Sequence, residues 1–348
     1  MQHELVFPTI PVELTWCILE ILALDVPDKA TELVLLSKAV QKVYGGCPSC
    51  SDGLTSSSSI DPILYSAFII EDQSCIPLLA RTIRTGSKPE EFYRKHTRIL
   101  CVTPIISHCE TDWDDLRDII VACTGLTTFM MWDSDYTGIG PNSDDPLASW
   151  FISHGSGHFS RLCQVSLWLR FDARILNALA QSSSCITHLD LLLSTRDELM
   201  EPAALFNLFP ELTHLMLFSL DVNLNATVSL LRSHLPPSIR LCVVSFDTIV
   251  LKNASNDWIM HYIQDPSPIV LGIRTCLQDT DTLNQLGHFP LHYLVDHVHD
   301  NAKLSKEWGP QERGAGSIWK KAEEILALKR STVLSMNEAH AIADLMTP

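Results

Sequence analysis

The sequence lacks long apolar runs and a basic leader. No stretch of about 18 consecutive apolar residues occurs along the chain, so no membrane-spanning helix is expected. The first residues carry Glu4, Glu13 and Glu20, and no basic stretch precedes an apolar one, as it would in a secretory signal. The sequence therefore predicts an intracellular protein that binds no membrane.

Basic residues are also scarce. The 348 residues include 25 Lys and Arg against 41 Asp and Glu, which gives a formal net charge of −16. Nucleic acids and anionic membranes are bound through clustered Lys and Arg, which neutralise phosphate groups. Only Lys320, Lys321, Lys329 and Arg330 cluster, and they share a predicted helix with acidic residues, which favours a solvated helix face. Neither nucleic acids nor membranes are expected as partners.

Glycine-rich phosphate-binding loops of the Walker or Rossmann type are missing, so nucleotide chemistry has no support. The cysteine count of 11 is odd, and most of these cysteines lie in apolar runs, as Cys101, Cys163 and Cys242 do. This pattern predicts reduced thiols and a cytoplasmic or nuclear location. The hydrophobic content of 46% and the charged content of 19% indicate a folded chain.

The N-terminal part, residues 8–44, is predicted to form three short helices. Pro11 suits a first helical position, and Leu14, Ile18 and Leu22 then fall on one helix face. Residues 45–59 are rich in glycine and serine and predict a flexible loop. This segment is either a surface loop or an unspliced stretch of the gene, and a transcript without codons 45 to 59 would establish the second case.

From about residue 98 onward, a short apolar strand-like run is repeatedly followed by a turn and an amphipathic helix. Such internal repetition is the signature of a solenoid built from similar units. A further strand-like stretch passes through Phe68 and Ile70. The predicted strands of the repeated part are 98–102, 126–132, 162–169, 186–193, 212–218, 239–246, 267–273 and 292–296.

Helices are predicted between these strands, and strands that alternate with helices favour a parallel sheet. The final predicted helix, 317–330, would cap the open end of the array with Trp319, Ala322, Ile325 and Leu326 as its buried face. The predicted helices before it are 75–86, 112–123, 146–153, 172–182, 196–209, 225–235 and 255–263. The fold class is therefore α/β, with a short all-α N-terminal domain before an irregular solenoid.

Three separated segments resemble one known family. They are I-P-V-E-L-T-W-C-I-L-E-I-L with a later L-L-S-K-A-V, then I-D-P-I-L-Y at 60–65, and S-I-W-K-K-A-E-E-I-L at 317–326. In this order they resemble the F-box-like proteins with leucine-rich-repeat-like C-terminal regions that are abundant in mushroom-forming fungi. The resemblance covers nearly the whole chain.

This resemblance implies a substrate-recognition subunit of an SCF-type, cullin-based ubiquitin ligase. The F-box would dock on the Skp-type adaptor, and the solenoid would bind a protein target that the sequence does not identify. Val40 stands where the family pattern has Trp, which removes a large apolar anchor from the adaptor interface. By the resemblance, the partner-binding positions are Pro11, Val12, Leu14, Ile18, Leu36, Ser37 and Lys38.

An enzymatic alternative rests on D-S-D-Y-T-G at 133–138, which follows an apolar run. A strand that ends in D-x-D-x-T resembles the first motif of haloacid-dehalogenase-type phosphatases. Asp133 would be the nucleophile and Asp135 the general acid/base, with a magnesium ion on the phosphate. The later motifs of that family are missing, so a solvated acidic loop is favoured. A calcium loop that ends at Asp144 is disfavoured by Pro141.

Other metal or nucleophile patterns are weak. Pro290 would break a helix between His288 and His292, so these two histidines are not expected to share a metal ion. The stretch with the histidines at 288, 292, 297 and 299 is predicted to be strand and loop. Cys47 and Cys50 form a lone C-x-x-C without a second pair at zinc spacing. Ser156 in H-G-S-G-H lacks the frame of a nucleophile elbow. No cofactor, metal or catalytic residue is predicted.

The predicted domains are an F-box-like domain at 1–44, the loop at 45–59, a connecting element at 60–97 and the solenoid at 98–348. The predicted function is a non-enzymatic adaptor. A repeat scaffold without a ligase role is the alternative. On the strand face of the solenoid, Thr187, Asp190, Thr213 and Met216 are candidates for contact with the target.

Overall fold

A computed structural model shows the organisation of much of the chain. It describes residues 65–70, 72–86, 88–102, 110–132, 159–168, 173–193, 206–219, 223–247, 251, 255–275, 290, 293–298 and 318–346. The predicted helices of residues 8–44, the loop at 45–59 and the helix at 146–153 lie outside this part of the chain.

Nine parallel strands form one open sheet, and their order in the sheet is their order in the sequence. Parallel neighbours in sequence order require a crossover connection between each pair, and crossovers of one hand place their helices on the same side of a sheet. The strands are β1 (Ala67–Ile70), β2 (Ile99–Val102), β3 (Thr128–Trp132), β4 (Gln164–Trp168), β5 (His188–Leu193), β6 (His214–Ser219), β7 (Leu241–Asp247), β8 (Ile269–Thr275) and β9 (Leu294–Val298).

Seven α-helices lie in the described part of the chain, and six of them fall between consecutive strands. A 3-10 turn, Phe206–Leu208, stands between β5 and β6. The helices are α1 (Cys75–Arg84), α2 (Glu90–His96), α3 (Glu110–Ala122), α4 (Ala173–Ser182), α5 (Leu224–His234), α6 (Asn256–Ile263) and α7 (Ile318–Met346).

The sequence predicted these elements closely, with three exceptions. Residues 206–208 of the predicted helix 196–209 form a 3-10 turn, and residues 196–205 lie outside the described part of the chain. Every predicted strand matches an observed one to within about two residues, which is the usual uncertainty of element boundaries. The helix α2 was missed because it is short and mostly polar. The final helix was predicted to end at Arg330, but α7 continues to Met346.

A hydrogen-bond ladder crosses the sheet at the residues that immediately precede the strands. Each of these residues donates its backbone N–H to the carbonyl of its counterpart in the preceding unit, over 2.8–3.0 Å. Hydroxyls of Thr127, Thr187 and Thr213 donate to the same carbonyls. The ladder therefore holds the turns of successive units at one level. Its members are Arg98, Thr127, Cys163, Thr187, Thr213 and Arg240.

One turn geometry also recurs before the strands. An apolar residue, buried in every case except the half-buried Pro290, accepts a backbone hydrogen bond from the residue three positions later, which then leads into the strand. Because both residues are apolar, each turn adds to the core while it satisfies its own backbone. The pairs are Cys123 and Leu126, Phe159 and Leu162, Phe209 and Leu212, Pro236 and Ile239, and Pro290 and Tyr293.

The central strands are buried on both faces, whereas Ile69 in the edge strand β1 is 45% exposed. In β5, Leu189 is 0% exposed and its neighbour Asp190 is 1% exposed, although their side chains point to opposite faces. In β2 all four residues are buried. This burial accounts for the continuous apolar runs in the sequence, since strands covered on both faces do not alternate with polar residues.

Candidate functional site

Most residues singled out in the sequence lie outside the described part of the chain. This applies to all the predicted adaptor-binding positions from Pro11 to Lys38, to Asp133 and Asp135, and to Cys47 and Cys50. Of the histidine-rich stretch, Asp296 and His297 belong to β9. Across the residues that the structure does describe, no group of three or more His, Cys, Asp or Glu is placed to hold a metal ion.

The four candidate contact residues on the strands do not form an open surface. Asp190 is 1% exposed and Met216 is 0% exposed. The hydroxyls of Thr187 and Thr213 donate to backbone carbonyls over 3.2 Å. These side chains therefore stabilise the sheet, and a target does not reach Asp190 or Met216 in this conformation.

Asp190 has a buried polar partner. The hydroxyl of Ser166 in β4 donates to Oδ2 of Asp190 over 2.7 Å, and both side chains are buried. A carboxylate inside a sheet is costly unless it is hydrogen bonded. The Ser166 bond therefore offsets part of the cost of burying Asp190.

The helix α7 covers the strand face on which His188 and His214 lie. The two imidazoles stack with ring centroids 4.2 Å apart, and Trp319 of α7 meets them edge-on at 5.3 Å and 5.4 Å. Farther along, the hydroxyl of Thr332 lies 3.0 Å from the Tyr293 hydroxyl, just before β9. The helix therefore crosses the strands from β5 to β9, whereas the sequence predicted only a cap on the last unit.

The predicted buried face of this helix is confirmed. Trp319 and Ile325 are each 8% exposed, Leu326 is 5% exposed and Ala322 is fully buried. A helix rises about 1.5 Å per residue, so Lys329 lies about 15 Å farther along the helix axis than Trp319. This distance equals about three strand spacings. The spacing of the contact residues along α7 therefore matches the spacing of the strands that they contact.

Burial at this contact lowers the pKa of both histidines. The pKa of His188 falls to about 3, because burial disfavours its charged form and His214 adds repulsion. Burial also lowers the pKa of His214, although Glu323, 3.4 Å from its Nε2, partly opposes the shift. Both imidazoles are therefore neutral near pH 7, which suits their stacking.

Lys329 corrects the expectation of a fully solvated basic face on the last helix. Its side chain is 0% exposed. The ammonium donates to the carbonyl of Ile269 over 2.8 Å and lies 4.0 Å from the ring centroid of Tyr262. Burial lowers the pKa of Lys329 to about 8. This lysine fastens α7 to the start of β8.

A basic cleft lies at the amino ends of β2, β3 and β4. We use this name for a cavity of about 1190 Å³ with walls from α1, α2, α3 and the turns before β3 and β4. Five basic and two acidic side chains line it. The charged lining residues are Arg84, Lys88, Arg94, Lys95, Arg161, Glu91 and Asp118.

Part of the charge in the basic cleft is neutralised internally. Arg84 of α1 forms ion pairs of 2.6 Å with Asp115 and Asp118 of α3, which join the two helices. Arg94 forms a more exposed pair of 2.6 Å with Glu91. These pairs hold the helices of the cleft wall together. The unpaired positive charge of the lining lies at Lys95 and Arg161.

Arg98 lies close to Lys95 and Arg161, just outside the lining of the cleft. Its guanidinium donates from Nη1 to the carbonyl of Gly125 over 2.8 Å and from Nη2 to the carbonyl of Lys95 over 2.5 Å. Burial and the nearby Arg161 lower the pKa of Arg98. Two guanidinium groups are thus held near each other, one of them fixed by backbone carbonyls.

Gly125 closes the floor of the basic cleft. A Cβ atom at this position would lie 1.9 Å from the carbonyl oxygen of Arg94 and 2.8 Å from Nη1 of Arg98. Only glycine permits the turn before β3 to approach α2 this closely. This close approach places the carbonyl of Gly125 within reach of Arg98.

Sequence reasoning missed the basic cleft. Its cations come from α1, from the unpredicted helix α2 and the residues just before it, and from Arg161 in a turn that is far away in the sequence. The one available signal was the run R-K-H-T-R at 94–98, which holds three basic residues in an acidic chain. Periodicity identifies strands but does not show which turns meet at one end of a sheet.

No protein-family model matches the chain, and no curated protein or solved structure shows significant similarity to it. In the part of the chain that the structure covers, none of the helices combines the length and the apolar character needed to cross a membrane. The function is therefore inferred from the fold, the basic cleft and the sequence motifs.

Proposed function

We propose that this protein is a non-enzymatic adaptor, namely a substrate-recognition subunit of an SCF-type ubiquitin ligase. The part of the chain from β1 to α7, called the sheet domain below, binds a protein target. The N-terminal residues dock on the Skp-type adaptor of the cullin ligase. The observation that carries the proposal is the run of nine parallel strands in sequence order. Arrays of this kind present extended surfaces to protein partners.

The sheet domain is best understood as an irregular, leucine-rich-repeat-like solenoid. Its support is the recurrence of one turn before five strands and the backbone ladder from Arg98 to Arg240. Regular leucine-rich repeats carry Asn or Cys at a fixed position of each unit. In this chain, threonine hydroxyls at 127, 187 and 213 supply side-chain bonds between neighbouring units.

The adaptor-binding role rests on the F-box-like sequence of the N-terminal segment. Leu14 and Ile18 share one predicted helix face, and Leu36, Ser37 and Lys38 occupy the later part of the pattern. Docking on a Skp-type adaptor also implies a cytoplasmic or nuclear location. The free thiols of the six described cysteines are consistent with that location.

We assign no catalytic role to the buried titratable side chains of the sheet domain. His188 and His214 stack on each other, Asp190 accepts from Ser166, and Lys329 donates to a backbone carbonyl. Each of these contacts stabilises the packing of α7 or the strands. The target-binding surface is therefore sought elsewhere on the domain.

The proposal is tested by binding between the purified full-length protein and the Skp-type adaptor from the same source. Leu14→Asp and Ile18→Asp should each weaken binding by at least about tenfold, since a charge in an apolar interface is costly. Leu78→Asp is the matched control, because Leu78 is 62% exposed on α1 and should tolerate the same change. Circular dichroism of each variant checks folding.

Two outcomes would contradict the ligase role. One is a wild-type protein that does not bind the adaptor at all, which would leave a repeat scaffold without a ligase function. The other is binding that survives both Leu14→Asp and Ile18→Asp, which would exclude the predicted helix face as the interface.

A further inference from the structure

We propose that the basic cleft binds an acidic peptide segment of the target protein. The inference rests on the proposed role as an adaptor, and it adds the chemical class of the ligand. An extended segment with several Asp or Glu side chains around an apolar one fits the charges and the walls of the cleft.

The charge of the cleft is the first observation. Lys95, Arg98 and Arg161 form no ion pair within 4 Å in the described part of the chain, whereas Arg84 and Arg94 are paired with carboxylates. The whole chain carries a net charge of −16, so a region with excess cations stands out against its surroundings. Such a region attracts anionic groups and raises their rate of association.

The fixed position of Arg98 is the second observation. Its guanidinium has five N–H donors, and the bonds to Gly125 and Lys95 hold the group in place while they occupy only part of that capacity. These bonds keep the positive charge of Arg98 fixed behind the cleft, although Arg98 is not among the residues that line it. Arg161, which lines the cleft, suits a carboxylate, because its planar guanidinium pairs with two oxygens at once.

Apolar side chains beside the cations point to a peptide. Val121 is 43% exposed although it is large and apolar, and Ile83 and Ala122 lie next to it in the wall. A cleft of about 1190 Å³ also exceeds the usual size of a small-ligand pocket. It therefore accommodates several residues of extended chain, with an apolar side chain against Val121.

The acidic lining argues against a nucleic acid as the ligand. Glu91 and Asp118 already pair with Arg94 and Arg84, so the cleft lacks the continuous row of unpaired cations that a phosphate backbone requires. A peptide carries its carboxylates on flexible side chains, so some of them can turn to Lys95 and Arg161 while an apolar side chain packs against Val121. The observations thus favour an acidic peptide over RNA or DNA.

The test uses the full-length protein and a fluorescein-labelled peptide of sequence E-D-E-L-E-D-E-L, followed by fluorescence anisotropy. The double variant Lys95→Glu with Arg161→Glu should weaken binding about tenfold or more, because two attractive charges become repulsive. The double variant Lys321→Glu with Arg330→Glu is the matched control. It changes the net charge equally at exposed positions of α7.

Four comparisons decide the outcome. A peptide with every Glu and Asp replaced by Gln and Asn should not bind, and binding of the acidic peptide should weaken as salt is raised. Equal losses in both double variants would indicate a general charge effect and overturn the proposal. So would tighter binding of a single-stranded RNA octamer than of the peptide, or no binding of the acidic peptide at millimolar concentration.

Failure here is distinguishable from failure of the adaptor role. The variant with Lys95→Glu and Arg161→Glu should retain wild-type affinity for the Skp-type adaptor, because the substitutions lie in the sheet domain. Loss of peptide binding with intact adaptor binding therefore assigns the defect to the basic cleft.

Discussion

Lys329 illustrates how a single charged residue joins two elements. It is the least exposed charged side chain in the described part of the protein, at 0%. Its ammonium is compensated by the carbonyl of Ile269 and the face of Tyr262, and not by a paired carboxylate. Cation–π contacts become stronger when the cation is removed from water. The remaining cost of burial lowers the pKa of Lys329 to about 8.

This pKa predicts a specific pH dependence of stability. Between about 8 and the ordinary lysine pKa of 10.5, folded Lys329 binds fewer protons than unfolded Lys329, so its contribution to stability rises with pH. We expect the wild type to gain about 2 kcal/mol relative to Lys329→Met between pH 7.5 and 9.5. Urea unfolding at several pH values measures this difference.

Lys321→Met provides the control, since Lys321 is exposed on the same helix. Its stability should follow that of the wild type across the same pH range. A constant difference between the wild type and Lys329→Met at all pH values would show that the ammonium of Lys329 is not buried in solution.

At the scale of elements, α7 differs from its predicted role as a cap on the last unit, because it packs across several strands. Its apolar side chains were visible in the sequence, but their partners were not. Trp319 meets the imidazoles of His188 and His214, which come from two adjacent repeats with the same T-H-L pattern. The repeated T-H-L pattern thus places the imidazoles of His188 and His214 side by side, and Trp319 packs against this stacked pair.

Removal of Trp319 should release the start of α7 from the sheet. Trp319 is 8% exposed, so Trp319→Ala is expected to destabilise the protein by about 3 kcal/mol. Hydrogen exchange should become faster along α7 and at the starts of β5 and β6. Leu334→Ala, at a position that is 63% exposed, should change neither quantity.

The result can also contradict this description of α7. If exchange in α7 is unchanged in Trp319→Ala while the rest of the protein is folded, Trp319 does not anchor the helix. A global loss of structure would instead be visible by circular dichroism, and Trp319→Phe then tests the same contact with a smaller change in volume.

Particular elements show how far the sequence predicts this structure. The strands were predicted because runs such as L-T-H-L-M-L-F are apolar and bounded by turn residues. The helix α2 was missed because E-E-F-Y-R-K-H has too few apolar residues to reveal a helical period. The basic cleft was missed because Lys95 and Arg161 meet only after the sheet has formed.

At the scale of the whole molecule, the basic cleft and the final helix lie against different parts of the sheet. An acidic chain places a set of cations at the amino ends of β2 to β4, and α7 packs across the starts of the strands from β5 to β9. The proposed binding region therefore lies among the first strands of the sheet, which follow the F-box-like segment in the sequence. A target bound there would lie close in sequence to the proposed adaptor-docking residues.

The central claim is that one chain bridges an acidic target segment and the Skp-type adaptor. The most direct test immobilises the E-D-E-L-E-D-E-L peptide and measures retention of the purified adaptor with and without the full-length protein. The account predicts retention only when the wild-type protein is present. It also predicts loss with Leu14→Asp, loss with Lys95→Glu and Arg161→Glu, and wild-type retention with Lys321→Glu and Arg330→Glu. Absence of retention with the wild-type protein, or equal retention with all variants, would contradict the claim.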